Sequence, residues 1–154
     1  MAEVKMEKYY QAYDKRYQQI HNLKLQWSSD VVTPILQELT VQFGIRKTDK
    51  ILEIGCGEGR DALWLLEQGY DILATDVSKE AISYCKKKNS KFSHLFFQLD
   101  VCEERLPQTF KFIYSISVIH MLVNQEDRNR FLTFIRDHLD EDGYGLILTM
   151  GDGE

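Results

Sequence analysis

Two acids and a run of glycines carry the most chemistry in this chain. Glu53 lies inside the apolar tetrad Ile51-Leu52-Glu53-Ile54, and Gly55-Cys56-Gly57-Glu58-Gly59 follows at once. Asp76 ends a second apolar stretch that runs from Tyr70 to Thr75. Glycine lets backbone pass through conformations that a Cβ forbids, and lets a ligand approach the main chain closely. A helix starting just after such a turn leaves free N–H groups, which suit a carboxylate or a phosphate. An acid at the tip of the next strand can accept from both hydroxyls of a ribose. Spacing then separates one nucleotide from another. A dinucleotide fingerprint reads G-x-G-x-x-G, but Arg60 stands where its third glycine would fall, and the pattern here is E-x-G-x-G-x-G. Glu53 would repel a pyrophosphate and attract the ammonium of a bound amino acid.

These groups need a strand–turn–helix–strand unit to hold them. Residues 51–54 read as a buried parallel strand. The helix expected over 61–68 carries Ala62, Leu63, Leu65 and Leu66 inward and stops at Gly69, a good residue just past a helix end. The strand over 70–75 then delivers Asp76. A glycine-rich first turn with an acid at the second strand tip belongs to the nucleotide crevices of doubly wound sheets.

Glu53-Ile54-Gly55-Cys56-Gly57-Glu58-Gly59 followed by Asp76 resembles the first two motifs of class I S-adenosylmethionine-dependent methyltransferases, and the similarity covers about residues 45 to 150. The resemblance implies an α/β fold, a three-layer αβα doubly wound parallel sheet of strand order 3-2-1-4-5. It implies S-adenosyl-L-methionine as cofactor at the C-terminal strand ends, and methyl transfer to a small molecule. The implied cofactor residues are Glu53, Gly55, Cys56, Gly57, Gly59 and Asp76. Val77 would lie against the adenine, Asp100 would accept from its amino group, the Val101 N–H would meet a ring nitrogen, and Ser117 closes the set. A nicotinamide-dependent oxidoreductase is disfavoured by Glu53 and Arg60. A cofactor-binding module without activity is the other alternative.

The remaining elements follow in order. Tyr10, Tyr13 and Tyr17 share one face of an N-terminal helix, either packed on the sheet domain or acting as a lid, and Trp27 is open to the same two readings. One domain is expected, with residues 1–44 as a helical lid or cap and 45–154 as the cofactor-binding core. A helix over 31–42, capped by Ser29 or Asp30 with Pro34 in its first turn, would turn Val31, Ile35, Leu39 and Val41, with Leu36 and Phe43, to the core. Ser78 caps a helix over 79–89, whose Lys86-Lys87-Lys88 suits its C-terminal dipole. Strands are expected over 94–99, 110–117 and 144–150, with a helix over 127–139 and a turn at 140–143. The family usually has an acid where Lys111 stands.

Val118-Ile119-His120-Met121-Leu122 lies where the resemblance places the methyl group. The [D/N]-P-P-[Y/F] motif of enzymes acting on DNA bases or glutamine amides is absent there. His120 is either a packing residue at a helix start or a wall or base of the site. With Tyr13, Tyr17, Trp27 and Met121 it would form the acceptor pocket. The family sheet has seven strands and five are found here, so the fifth is expected to be an open edge that a second copy could cover in a homodimer.

Composition narrows the partners. The 154 residues suffice for one domain, and 44% apolar with 28% charged residues is ordinary for a folded, water-exposed protein. A net charge of −5 provides no basic field for a nucleic acid. Three cysteines without a C-x-x-C pair suggest reduced thiols and a cytoplasmic protein. No stretch suggests a membrane span, and His21, His94 and His138 lack the spacing of metal ligands.

Overall fold

Alternating apolar residues force the sheet to be covered on both faces. In β1 (Lys50–Ile54), Ile51 joins one buried cluster and Leu52 and Ile54 the other. The structure is a computed structural model, in which residue 8 and residues 10–150 are described. Around β1 lie β2 (Asp71–Asp76), β3 (Phe96–Gln98), β4 (Phe110–Ile116) and β5 (Leu139–Leu148), in the order β3-β2-β1-β4-β5. Every pairing is parallel. The order expected from the sequence is the one observed.

Helices α2 (Pro34–Gln42), α3 (Arg60–Glu67) and α4 (Lys79–Lys88) cover one face, where Leu36, Leu65 and Ile82 meet Ile51, Phe112 and Tyr114. Helix α5 (Gln125–His138) covers the other, where Phe131, Phe134 and Ile135 meet Leu52, Ile54 and Ile113. This is the three-layer arrangement. Burying a Phe or Ile side chain contributes about 1.5–3 kcal/mol, so the two apolar clusters hold the strand tips in place for the site. Helix α1 (Gln11–Asn22) differs from the others, because none of its residues is fully buried.

Several boundaries depart from expectation, each for a physical reason. Helix α2 begins at Pro34, not at residue 31. Proline fits the first helical position, but its ring pushes the preceding residue into extended backbone, and Thr33 has ψ 113°. Ser29 and Asp30 are not caps. Their side chains accept instead from Arg60 at 3.5 Å and Gln26 at 2.9 Å. Val31 and Val41 are 68% and 76% exposed, whereas Leu36 is buried as expected, Phe43 packs against the core, and Thr40 joins Leu36 on the buried face. His94 and Leu95 belong to a 3-10 turn over Ser90–Leu95, which shortens β3. Helix α5 starts two residues early because the Asn124 side chain accepts from the Asp127 N–H at 2.8 Å. The turn expected at 140–143 is a bulge inside β5, between the pairs Phe110–Leu139 and Phe112–Tyr144. Lys111 spans it, with Nζ 2.9 Å from an Asp142 carboxylate oxygen.

Candidate active site

The turn after β1 is built so that only glycine can begin it. Gly55 has φ +79°, and a Cβ there would lie 2.2 Å from Val118 Cγ2. The Gly55 and Cys56 N–H groups both donate to the Thr75 carbonyl at 2.8 Å, which ties the turn to β2. Gly57 N–H donates to Asp76 Oδ2 and Ser78 N–H to Asp76 Oδ1, each at 2.8 Å. Asp76 is thus clamped between the two loops with one acceptor position left on each oxygen. Burial raises its pKa above the ordinary carboxylate value, and the backbone N–H groups of Ser78, Gly57 and Val77 oppose that rise.

Glu53 is buried in the sheet, and the Tyr114 hydroxyl donates to its Oε2. Burial, with the Asp61 charge adding to it, pushes Glu53 up to about 8. Both acids line one cavity of about 400 Å³ at the C-terminal ends of the strands. That size holds a ligand of drug-like or nucleoside dimensions.

Most residues singled out from the sequence meet there. Gly55, Cys56, Gly57, Val77, Val101 and Ser117 line the cavity. So do Tyr13, Tyr17, Trp27, His120 and Met121. Ser117 has φ +60°, with its N–H on the Leu148 carbonyl at 2.7 Å. A non-glycine residue in this region is strained, and such strain concentrates at ligand sites. Tyr17 and Trp27 have ring centroids 4.8 Å apart. Burial, then the charges of Asp76 and Glu58, raises the Tyr17 phenol well above its usual value, so it stays a neutral donor. His120 sits in a 3-10 turn, Ile119–Met121, with Nδ1 3.2 Å from Thr149 Oγ1.

Two expected residues do not line the cavity. Gly59 begins α3 with φ +84° and faces away from it. A Cβ there would meet Cys85 Sγ at 3.0 Å and Phe96 Cε1 at 3.2 Å, so its smallness serves helix–strand packing. Asp100 turns Oδ1 to the Cys102 N–H at 3.0 Å, and its neighbour Val101 is the residue on the wall.

The family profile described as a methyltransferase domain matches residues 51–143. The chain belongs to that family. Its sequence is 29% identical over 103 residues to TehB of Haemophilus influenzae, by name a probable S-adenosyl-L-methionine-dependent methyltransferase, with 64% of this chain and 35% of that protein covered. The chain therefore spans about a third of the length of this relative. A TehB-like SAM-dependent methyltransferase from Corynebacterium glutamicum superposes with a TM-score of 0.62 at 26% identity, over 88% of this chain and 70% of that one. The glycopeptide N-methyltransferase MtfA superposes with a TM-score of 0.68 at 20% identity, over 82% and 56% of the two chains, a likeness of fold.

This methyltransferase domain also uses residues that sequence reasoning passed over. Glu58, between two turn glycines, is buried and accepts from His21, Trp27 and Ser28. Arg60 and Asp61 join the start of α3 to the segment before α2. Asp61 accepts from the Thr33 N–H at 2.9 Å and hydroxyl at 2.8 Å, and Arg60 reaches Thr33 Oγ1 at 3.1 Å. Charged residues next to glycines in a tight turn were the one available signal. Among the described residues, no three His, Cys, Asp or Glu are placed to hold a metal ion, and no helix is long and apolar enough to cross a membrane.

Proposed function

We propose that the chain transfers a methyl group from S-adenosyl-L-methionine to a small, partly apolar molecule. The observation that carries this reading is the pair of buried carboxyl groups, Glu53 and Asp76, in one cavity on either side of the glycine-rich turn. Among the described residues Glu53 has the Tyr114 hydroxyl as its hydrogen-bond partner, so it suits the ammonium of an amino-acid arm. Asp76 keeps two acceptor positions for two ribose hydroxyls. Gly55, Cys56 and Gly57 offer backbone, Val77 and Val101 wall the adenine with Asp100 beyond them, and Ser117 closes the floor.

The bound cofactor supplies a methyl group on a carbon already activated by a positive sulfonium. The residues of the chain align the acceptor, screen the site from water, and take a proton where the acceptor loses one. Tyr13, Tyr17, Trp27, Met121 and His120 form the acceptor end, with His120 as the candidate base. Aromatic faces there also suit a sulfonium cation. The net charge of −5 supports a metabolite over a nucleic acid. Three free, buried cysteines support a cytoplasmic setting. Of the expected lid segment 1–44, residues 10–28 act as lid, whereas α2 packs on the sheet through Leu36 and belongs with the core of one domain. The outer edge of β5, with Tyr144 and Leu148 each 38% exposed, is where a second copy would pair.

Calorimetry with S-adenosylhomocysteine and with a nicotinamide dinucleotide tests the assignment. Micromolar binding of the first and weaker binding of the second is expected. The reverse order overturns the reading. Sedimentation of the purified chain tests the pairing, which fails if the chain stays monomeric at high micromolar concentration.

A further inference from the structure

Helix α1 covers the cavity without being packed into the core. Tyr13, Tyr17 and Ile20 are only half-buried, and no residue of the helix is fully buried. Apolar burial therefore supplies only part of its docking, with His21 stacked on Tyr84 at 4.1 Å, and polar contacts supply the rest. Those contacts converge on two carboxylates. Glu58 Oε1 accepts from the Ser28 N–H at 2.6 Å and the Ser28 hydroxyl at 3.0 Å. Its Oε2 lies 2.8 Å from His21 Nε2 and accepts from the Trp27 N–H at 3.1 Å. The other ring nitrogen of His21 lies 3.1 Å from Glu80 of α4.

The second carboxylate is on the helix itself. Asp14 Oδ1 accepts from the Ser78 hydroxyl at 2.7 Å and the Glu80 N–H at 3.0 Å, at the start of α4. Ser78 in turn donates its N–H to Asp76. An acid at a helix N-terminus is favoured by the free N–H groups and the dipole there.

We infer that Glu58 and Asp14 are positioning residues that latch helix α1 over the cofactor cleft. The two loops that would hold the cofactor, 55–59 and 76–80, are the same two that hold the lid. Cofactor in the cleft steadies those loops and so steadies the latch, and release of the latch frees the cofactor. Burial alone would raise Glu58, but donation from Ser28, His21 and Trp27 brings it below the usual carboxylate range, so it is charged when it acts. Lys24, just past the helix, has φ +56°, and its N–H on the His21 carbonyl at 2.9 Å with the Leu25 N–H on the Ile20 carbonyl at 3.1 Å closes the helix end. The Tyr17 hydroxyl, 3.0 Å from where a Cβ of Gly57 would stand, brings the lid down onto the turn itself.

The inference rests on the methyltransferase reading, and the test separates the two. The variants are Glu58→Gln, Asp14→Asn and Asp14→Glu. The rate of S-adenosylhomocysteine release is read by stopped flow, and amide exchange is followed in α1, β1 and β4, with and without that ligand. Loss of charge-assisted hydrogen bonds should speed release about 10- to 100-fold in Glu58→Gln and in Asp14→Asn. Exchange should rise in α1 alone, and Asp14→Glu should recover most of the slow release. Release within twofold of wild type in both variants overturns the latch. So does exchange that rises equally in β1 and β4 of Asp14→Asn, which would mark a general loss of structure. If the wild-type protein fails to bind S-adenosylhomocysteine, the methyltransferase reading falls. The ligand-free exchange of α1 then still decides whether these two residues hold the helix.

Discussion

Cofactor binding should release a proton from Glu53. In the ligand-free protein, burial and the neighbouring Asp61 charge push this carboxyl up to about 8. An ammonium pairs only with the carboxylate form. At pH 7 about one Glu53 in ten is ionised, and at pH 6 about one in a hundred, given one decade per pH unit. Apparent affinity for S-adenosylhomocysteine should therefore rise about tenfold between pH 6 and 7 and flatten above 8. Calorimetry at pH 7 in phosphate and in Tris reads the same event directly, because the buffers differ in ionisation enthalpy. About 0.9 proton should leave per binding event. Glu53→Gln should bind weakly, with neither pH slope nor buffer dependence. Stability without ligand carries the matching sign. A carboxyl whose folded value is raised from 4.5 to about 8 holds its proton in the folded state across that window. Its contribution to stability is therefore present at acid pH and is lost as pH rises through the window. A flat affinity from pH 6 to 8 with no proton released would refute the argument.

Three further expectations follow from the same geometry. Asp76→Asn keeps one oxygen for a backbone N–H but loses the charge, and should weaken S-adenosylhomocysteine by about 1.5–3 kcal/mol in calorimetry. A large fall in melting temperature with unchanged affinity would make Asp76 structural. Gly55→Ala places a methyl 2.2 Å from Val118 at φ +79°, and should cost about 1–3 kcal/mol in denaturant unfolding. An unchanged midpoint would show that the turn relaxes freely. Removing residues 1–28 deletes α1 and the Glu58 contacts, and should loosen the cofactor while leaving cooperative unfolding of the sheet intact. Full cofactor affinity in the truncated chain would dismiss the N-terminal segment as a lid.

The sheet and the glycine-rich turn at its centre could be read from the order of residues alone. Apolar runs in β1, β2 and β4 with helical stripes between them mark a covered parallel sheet, and the family resemblance implied its strand order. Gly55 and Gly57 in the turn and Asp76 at a strand tip were legible because their placement depends on backbone within a few residues. A turn with positive φ and an acid at a strand tip are local events. What surrounds that centre was decided by the tertiary structure. Glu58 and Gly59 are neighbours in sequence, yet Glu58 faces residues 21–28 and Gly59 faces Cys85 and Phe96. Periodicity assigns side chains to the face of a helix or strand, but a tight turn has no period. Thr33 gave up a cap for Asp61, and Asp14 became a cap for a helix far along the chain. Donors meet such carboxylates from 28 to 66 positions away. Only packing of the whole chain sets those distances, because a buried carboxylate takes whichever donors the fold brings within reach.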